Sequence, residues 1–123
     1  MSSGTDMLKI VQLLVDLYGC ETDLDDEGFL MGVLEKAAQR VGATVVRRVT
    51  QRFQPVGVTV ILILAETHLS IHTWPEHGYA AVDVFFCSEG ADPYAAWEVI
   101  RSALKPESFE LKEIIRTIGE KRS

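Results

Sequence analysis

Between Val58 and Cys87 the chain carries three strand patterns in succession, separated only by short turns, and no other stretch limits the possible fold as much. Val58 to Leu64 is a continuous apolar run, the pattern of a central strand buried on both faces. From His68 to Thr73, Leu69 and Ile71 fall on one side and His68, Ser70 and His72 on the other, because successive strand side chains point to opposite faces. Trp74-Pro75-Glu76-His77-Gly78 reads as a turn. Beyond it, Val82, Val84 and Phe86 share one face of a strand running from Tyr79 to Cys87, and Tyr79, Asp83, Phe85 and Cys87 share the other. Strands joined this closely build an antiparallel sheet.

The flanking segments complete the layer. Leu8 to Tyr18 reads as another strand, with Leu13, Val15 and Leu17 alternating with Gln12, Leu14 and Asp16. Asp25-Asp26-Glu27 open a helix, since acidic groups suit the positive end of its dipole. Phe29, Leu30, Val33, Leu34, Ala37, Ala38 and Val41 give that helix one apolar stripe, and Gly42 is placed to end it. Thr44 to Phe53 reads as an arginine-bearing strand, wet on one face, and Pro55 and Gly57 mark the turn after it. Asp92-Pro93 starts a second helix with an N-cap and a first-turn proline; its buried stripe is Ala96, Trp97, Ile100, Ala103 and Leu104. Phe109, Leu111 and Ile115 suggest a last strand. The order β-α-β-β-β-β-α-β predicts an α+β two-layer sandwich, an antiparallel sheet with two helices on one face, in a single domain spanning 1–123.

Charge and composition exclude some functions. A net charge of -6 argues against a nucleic-acid partner, which needs a basic patch. The longest apolar run, Val56 to Ala65, is too short to span a bilayer, and the first residues lack the regions of a signal peptide. Two cysteines, Cys20 and Cys87, do not make a disulfide framework and point to a reduced, cytoplasmic setting.

Several side chains carry reactive groups. On a helix His68 and His72 would share one face and could share a zinc ion. On a strand they stand roughly 13 Å apart at ~3.3 Å per residue, too far for one ion; the alternation and Pro75 favour the strand, so no metal is expected. Cys87 near histidines fits either a thiol nucleophile or a small buried hydrophobe at a strand end. His72 alone fits an ordinary hydrogen-bonded sheet histidine as well as a proton-transfer group.

Taken together, the motifs say more. Asp16-Leu17-Tyr18-Gly19-Cys20 lies near the start, and Phe53-x-Pro55-x-Gly57-Val58-Thr59 forms the turn into the apolar run. The stretch Glu66-Thr67-His68-Leu69-Ser70-Ile71-His72-Thr73-Trp74-Pro75-Glu76 joins Gly78-Tyr79-Ala80-Ala81-Val82-Asp83-Val84-Phe85-Phe86-Cys87, and Asp92-Pro93 opens the late helix. Over nearly its whole length the chain resembles the small prokaryotic S-adenosylmethionine decarboxylases. Members of that family make their own cofactor. The residue after the glutamate, ordinarily serine, attacks the glutamate carbonyl in an N-to-O acyl shift. The ester undergoes β-elimination, the chain parts, and the new N-terminus hydrolyses to a pyruvoyl group. That ketone forms a Schiff base with the substrate amine and draws electrons away as carbon dioxide leaves.

Carried over residue by residue, the resemblance implies cleavage between Glu66 and Thr67, with Thr67 at the precursor position. His72 assists processing, Thr59 stands where the family has a second serine near the cut, and Cys87 returns a proton to the product. Phe53 stacks on adenine with Trp74 adding to the wall, Glu76 binds the ribose hydroxyls, and Glu66 ends the first fragment beside the substrate cation. Threonine at position 67 would yield a 2-oxobutyryl group in place of pyruvoyl, and its methyl crowds the attack. The family also implies a homodimer with shared active sites, S-adenosylmethionine as substrate, and a role in spermidine synthesis. Two other readings share these motifs: a homologue that binds S-adenosylmethionine without processing, and a pyruvoyl-dependent decarboxylase of a basic amino acid.

Overall fold

The computed structural model describes residues 8–65, 67–87 and 90–119. Six strands form: β1 (Leu8–Tyr18), β2 (Val45–Arg52), β3 (Val58–Leu64), β4 (Thr67–Trp74), β5 (Tyr79–Cys87) and β6 (Ser108–Ile118). Two helices interrupt them, α1 (Glu27–Arg40) and α2 (Pro93–Leu104). The strands form one antiparallel sheet in the order β2-β3-β4-β5-β1-β6. Both helices lie on one face and pack against each other, α1 over β2, β3 and β4, and α2 over β5 and β1. The α+β order read from the sequence is the observed one.

Local chemistry sets the helix ends. Asp26 caps α1 by accepting the Phe29 N–H at 3.0 Å, and Asp92 caps α2 by accepting the Tyr94 N–H at 2.9 Å. Each cap contributes roughly 1 kcal/mol. Gly42, with φ of 73°, follows the end of α1 as expected. The core lies between helices and sheet. Leu30, Val33, Leu34, Ala37 and Ala38 of α1, and Ala96, Trp97, Ile100 and Leu104 of α2, meet Leu13, Val15, Leu17, Val60, Leu62, Leu69, Ile71, Val82, Val84 and Phe86 of the sheet. A fully buried aliphatic side chain of this kind contributes about 1.5–3 kcal/mol.

One expectation is corrected. The β3 run is not buried on both faces: Val58, Val60, Leu62 and Leu64 enter the core, while Thr59 and Ile61 are half-buried and Ile63 is 41% exposed. A helix covers only one side of β3, and the other side belongs to the open face of the sheet. The cross-strand registers place Val49, Ile61, Ile63, His68, Ser70, His72, Asp83, Phe85, Leu14 and Ile114 on that open face. It is a half-apolar surface carrying most of the reactive side chains.

Candidate functional site

At one end of β4 the β2–β3 turn and the β4–β5 turn come together. Phe53, Gly57, Thr59, His72, Trp74 and Glu76 line a cleft of about 450 Å³, a volume in the range of small-ligand sites. Thr59 and His72 are cross-strand partners, and Thr59 Oγ1 lies 2.9 Å from His72 Nδ1. Beneath them the buried Thr73 hydroxyl accepts the Val58 N–H at 3.0 Å and donates to the Val58 carbonyl at 3.2 Å, fixing the start of β3 against β4. Gly57 has φ of 118°, and a Cβ there would stand 3.3 Å from the Thr73 carbonyl oxygen, so the turn requires glycine. Glu76 sits in a single 3₁₀ turn, Pro75–His77, closed by Gly78 in the left-handed region.

Two aromatic side chains face this cleft, and both have room for a ligand: Phe53 is 50% exposed and Trp74 43%. Trp74 is backed by Tyr79, ring centroids 5.4 Å apart and tilted at 52°. Tyr79 is held in turn, donating its hydroxyl to Asp16 at 2.5 Å. Burial, then that hydrogen bond and the Asp16 charge, pushes the Tyr79 phenol up to about 12, so it remains a neutral donor.

The opposite end of β4 holds the other reactive groups. Thr67 and Cys87 line a second cavity, of about 630 Å³, walled by Ala43, Ala65, Phe86, Gly90 and Ala91. Both side chains are half-buried. Thr67 follows the β3–β4 turn, where the Ala65 N–H donates to the Thr44 carbonyl at 3.0 Å. Glu66, expected as the other side of the cleavage point and as a substrate contact, lies outside the described residues.

Within one protomer the two ends do not meet. Thr67 and His72 are five residues apart on one strand, roughly 16 Å at ~3.3 Å per residue. Thr67 thus lines the 630 Å³ cavity with Cys87, while His72 lines the 450 Å³ cleft with Thr59, Phe53, Trp74 and Glu76. A shallow depression of about 690 Å³ on the open face runs between them, lined by Ile61, Ile63, Thr67, His68, His72 and Phe85 among others. His68 and His72 both lie on that face, on the strand predicted for them. Among the described residues no group of three His, Cys, Asp or Glu side chains gathers in a metal-binding arrangement.

Two networks next to the site escape a reading of the sequence. Asp25 accepts the Gly57 N–H at 2.8 Å and Arg52 at 2.9 Å. The Gly57 N–H and the Arg52 charge hold its carboxyl below the usual range, against an opposing push from burial. His68 stacks on Phe85, centroids 5.0 Å apart and 13° from parallel, and its Nε2 lies 3.5 Å from Asp83. Gln12 donates to both Asp83 oxygens, at 3.1 and 3.2 Å. All of these pairs join residues far apart in the chain, and no local signal announces them.

Comparison with known proteins agrees with this fold. The family described as S-adenosylmethionine decarboxylase matches residues 11–117. An S-adenosylmethionine decarboxylase proenzyme of Prochlorococcus marinus is 48% identical over 104 residues, 84% of this chain and 83% of that one. One of Methanococcus maripaludis is 43% identical over 109 residues, 88% of this chain and 89% of that one. The crystal structure of the adenosylmethionine decarboxylase from Aquifex aeolicus superposes with a TM-score of 0.82 at 36% identity, covering 94% of this chain and 97% of that one. The chain belongs to the S-adenosylmethionine decarboxylase family.

Proposed function

We infer that this chain is an S-adenosylmethionine decarboxylase proenzyme that cuts itself between Glu66 and Thr67 and works as a homodimer. The observation that carries the reading is the division of its reactive groups into two complementary halves at opposite ends of β4. One half holds Thr67 and Cys87; the other holds Phe53, Thr59, His72, Trp74 and Glu76. Neither half suffices for the reaction. Two copies packed about a two-fold axis through their open faces set one half against the other, making two equal sites. The apolar side chains left on that face, Ile63, Val49 and Ile114 among them, supply a reason to pack.

Cleavage uses the chain's own groups. The Thr67 hydroxyl attacks the Glu66 carbonyl carbon, the amide C–N bond breaks, and an ester and a free amine result. Loss of the Thr67 α-proton then expels the Glu66 carboxylate. Water replaces the nitrogen, which leaves as ammonia, and a 2-oxobutyryl end remains. The imidazole of His72 from the partner, oriented by Thr59, handles the proton of these steps. The cavity around Thr67 suits this reading: three alanines and two glycines are among its walls, and a thiol stands beside it.

The keto group supplies an electrophile for the substrate amine and an acceptor for the electrons freed by decarboxylation. The remaining work falls to side chains. Phe53 and Trp74 sandwich the adenine, Glu76 takes the ribose hydroxyls, and Cys87 holds the proton delivered to the product carbon. Decarboxylated S-adenosylmethionine, the aminopropyl donor for spermidine, is the product.

The sheet order explains how the cut chain stays folded. β1, from the first fragment, lies between β5 and β6 of the second, and β3 remains paired with β4. The fragments are interleaved, so scission of the β3–β4 turn removes no strand pairing.

Intact mass of freshly purified protein, followed over time beside Thr67→Ser and paired with release of carbon dioxide from S-adenosylmethionine, tests the reading. The expected result is a fragment ending at Glu66 in both, formed faster with serine. A single uncut species in both, without carbon dioxide, overturns it and leaves a nucleoside-binding homologue.

A further inference from the structure

Asp25 stands immediately before the helix cap Asp26 yet takes no part in capping. Its carboxylate turns away from α1 to the β2–β3 turn, accepting the Gly57 N–H at 2.8 Å and an Arg52 guanidinium N–H at 2.9 Å. A second Arg52 nitrogen donates to the Asp25 carbonyl at 2.9 Å. Arg52 is the last residue of β2 and Gly57 immediately precedes β3. One carboxylate therefore grips both ends of the segment carrying Phe53. Within the segment the Phe53 N–H donates to the Gly57 carbonyl at 2.9 Å, and the Thr73 carbonyl limits Gly57 from behind. Phe53, half exposed, takes its direction from this backbone.

We propose that Asp25 is a positioning residue for the adenine-binding wall: by holding Arg52 and Gly57 together it presents Phe53 opposite Trp74, and so sets affinity for planar nucleosides without touching them. The proposal rests on the reading of this cleft as the nucleoside site. Charge-assisted hydrogen bonds are the strong ones and fix geometry closely, and a site held in its binding conformation beforehand binds more tightly than one that must be ordered. The neighbouring acids have other tasks. Asp23 accepts the Asp25 N–H at 2.9 Å, Asp26 caps the helix, and Glu27 takes the Thr50 hydroxyl at 2.5 Å and lies 4.0 Å from Arg52.

The test is calorimetric binding of 5′-methylthioadenosine, a nucleoside with no amino-acid group to react, to the full chain. Asp25→Ala is expected to weaken binding about tenfold, the scale of a lost charge-assisted pair. Asp25→Asn, whose amide oxygen still accepts the Gly57 N–H, falls between Ala and the parent. Glu27→Gln binds as the parent does. In cleaved enzyme, Asp25→Ala raises KM for S-adenosylmethionine by the same factor and leaves kcat unchanged. Binding by Asp25→Ala within twofold of the parent overturns the proposal. So does an equal loss in Glu27→Gln, which would mark general loosening of the helix start. A parent protein that binds no nucleoside defeats the reading of the cleft itself, a result distinct from a bound parent with indifferent variants.

Discussion

The two ends of β4 are built differently. At the His72 end a set of hydrogen bonds ties the walls together: Thr59 to His72, Thr73 to Val58, Gly57 to Asp25, Tyr79 to Asp16. Such a network fixes side chains in advance, which suits recognition of a flat, rigid nucleoside. At the Thr67 end the cavity wall includes three alanines and two glycines beside a hydroxyl and a thiol. The backbone rearrangement proposed there needs that space. On the proposed reading one end binds and the other reacts, and the length of β4 between Thr67 and His72 is the reason to seek the complete site across two subunits.

The strongest way to break this contrast is to remove the reacting hydroxyl. Thr67→Ala is expected to abolish cleavage and decarboxylation while leaving nucleoside binding at the other end intact, as read by intact mass and calorimetry. Thr67→Ser should speed cleavage by about tenfold, the equivalent of ~1.4 kcal/mol of barrier, since a β-branched residue is restricted about its first side-chain torsion. An equal rate with serine would show that the methyl is not what limits attack.

Next in size is complementation. Cys87→Ala and His72→Ala should each reduce decarboxylation by about a hundredfold or more, the usual worth of a proton-transfer group. Co-expressed, they should recover roughly one quarter of parental activity, because half the random dimers are mixed and each mixed dimer has one intact site. No recovery on mixing, with dimers present by light scattering, would place each site inside one subunit. Smaller effects belong to the binding end alone. Trp74→Ala and Glu76→Gln should raise KM about tenfold each, the scale of a lost aromatic or charged hydrogen-bond contact. Cleavage of the chain should be unaffected in both.

Much of this was visible in the sequence, and the misses have physical causes. Alternation placed β1 at Leu8–Tyr18 and β5 at Tyr79–Cys87, and a continuous apolar run placed β3 at Val58–Leu64, because both patterns are local. The same run misled about β3. Ile61 and Ile63 look like core, and an apolar residue on a strand does not say whether its own chain or another covers it. The residues of the proposed nucleoside cleft were legible as a motif, and the structure gathers Phe53, Thr59, His72, Trp74 and Glu76 in one place. Their separation from Thr67 along a rigid strand was not drawn from spacing, although five strand residues imply it. Asp25 was read only as part of an acidic helix start. Its partners lie 27 and 32 residues downstream, and nothing local distinguishes it from Asp26, which does cap.

The smallest expected effect concerns His68, which follows Thr67 but points to the open face. Its ring stacks on Phe85 and its Nε2 lies near Asp83, itself held by Gln12. The side chain is 36% exposed, so in the uncut chain the contact is worth at most about 1 kcal/mol. The proposed cleavage would change its importance. Residue 67 becomes a chain end, and ends fray unless something ties them down; the first side chain able to do so is His68. In uncut protein, His68→Ala should lower the melting temperature by only a few degrees, about 1 kcal/mol for a domain of this size. In cleaved protein it should raise amide exchange over residues 67–70 and reduce kcat a few-fold, while His68→Phe, which keeps the stack on Phe85, retains most of both. Equal exchange in cut His68→Ala and cut parent would show that the backbone pairing of β4 to β3 and β5 holds the new end without help, and that the reacting end, like the binding end, is rigid by itself.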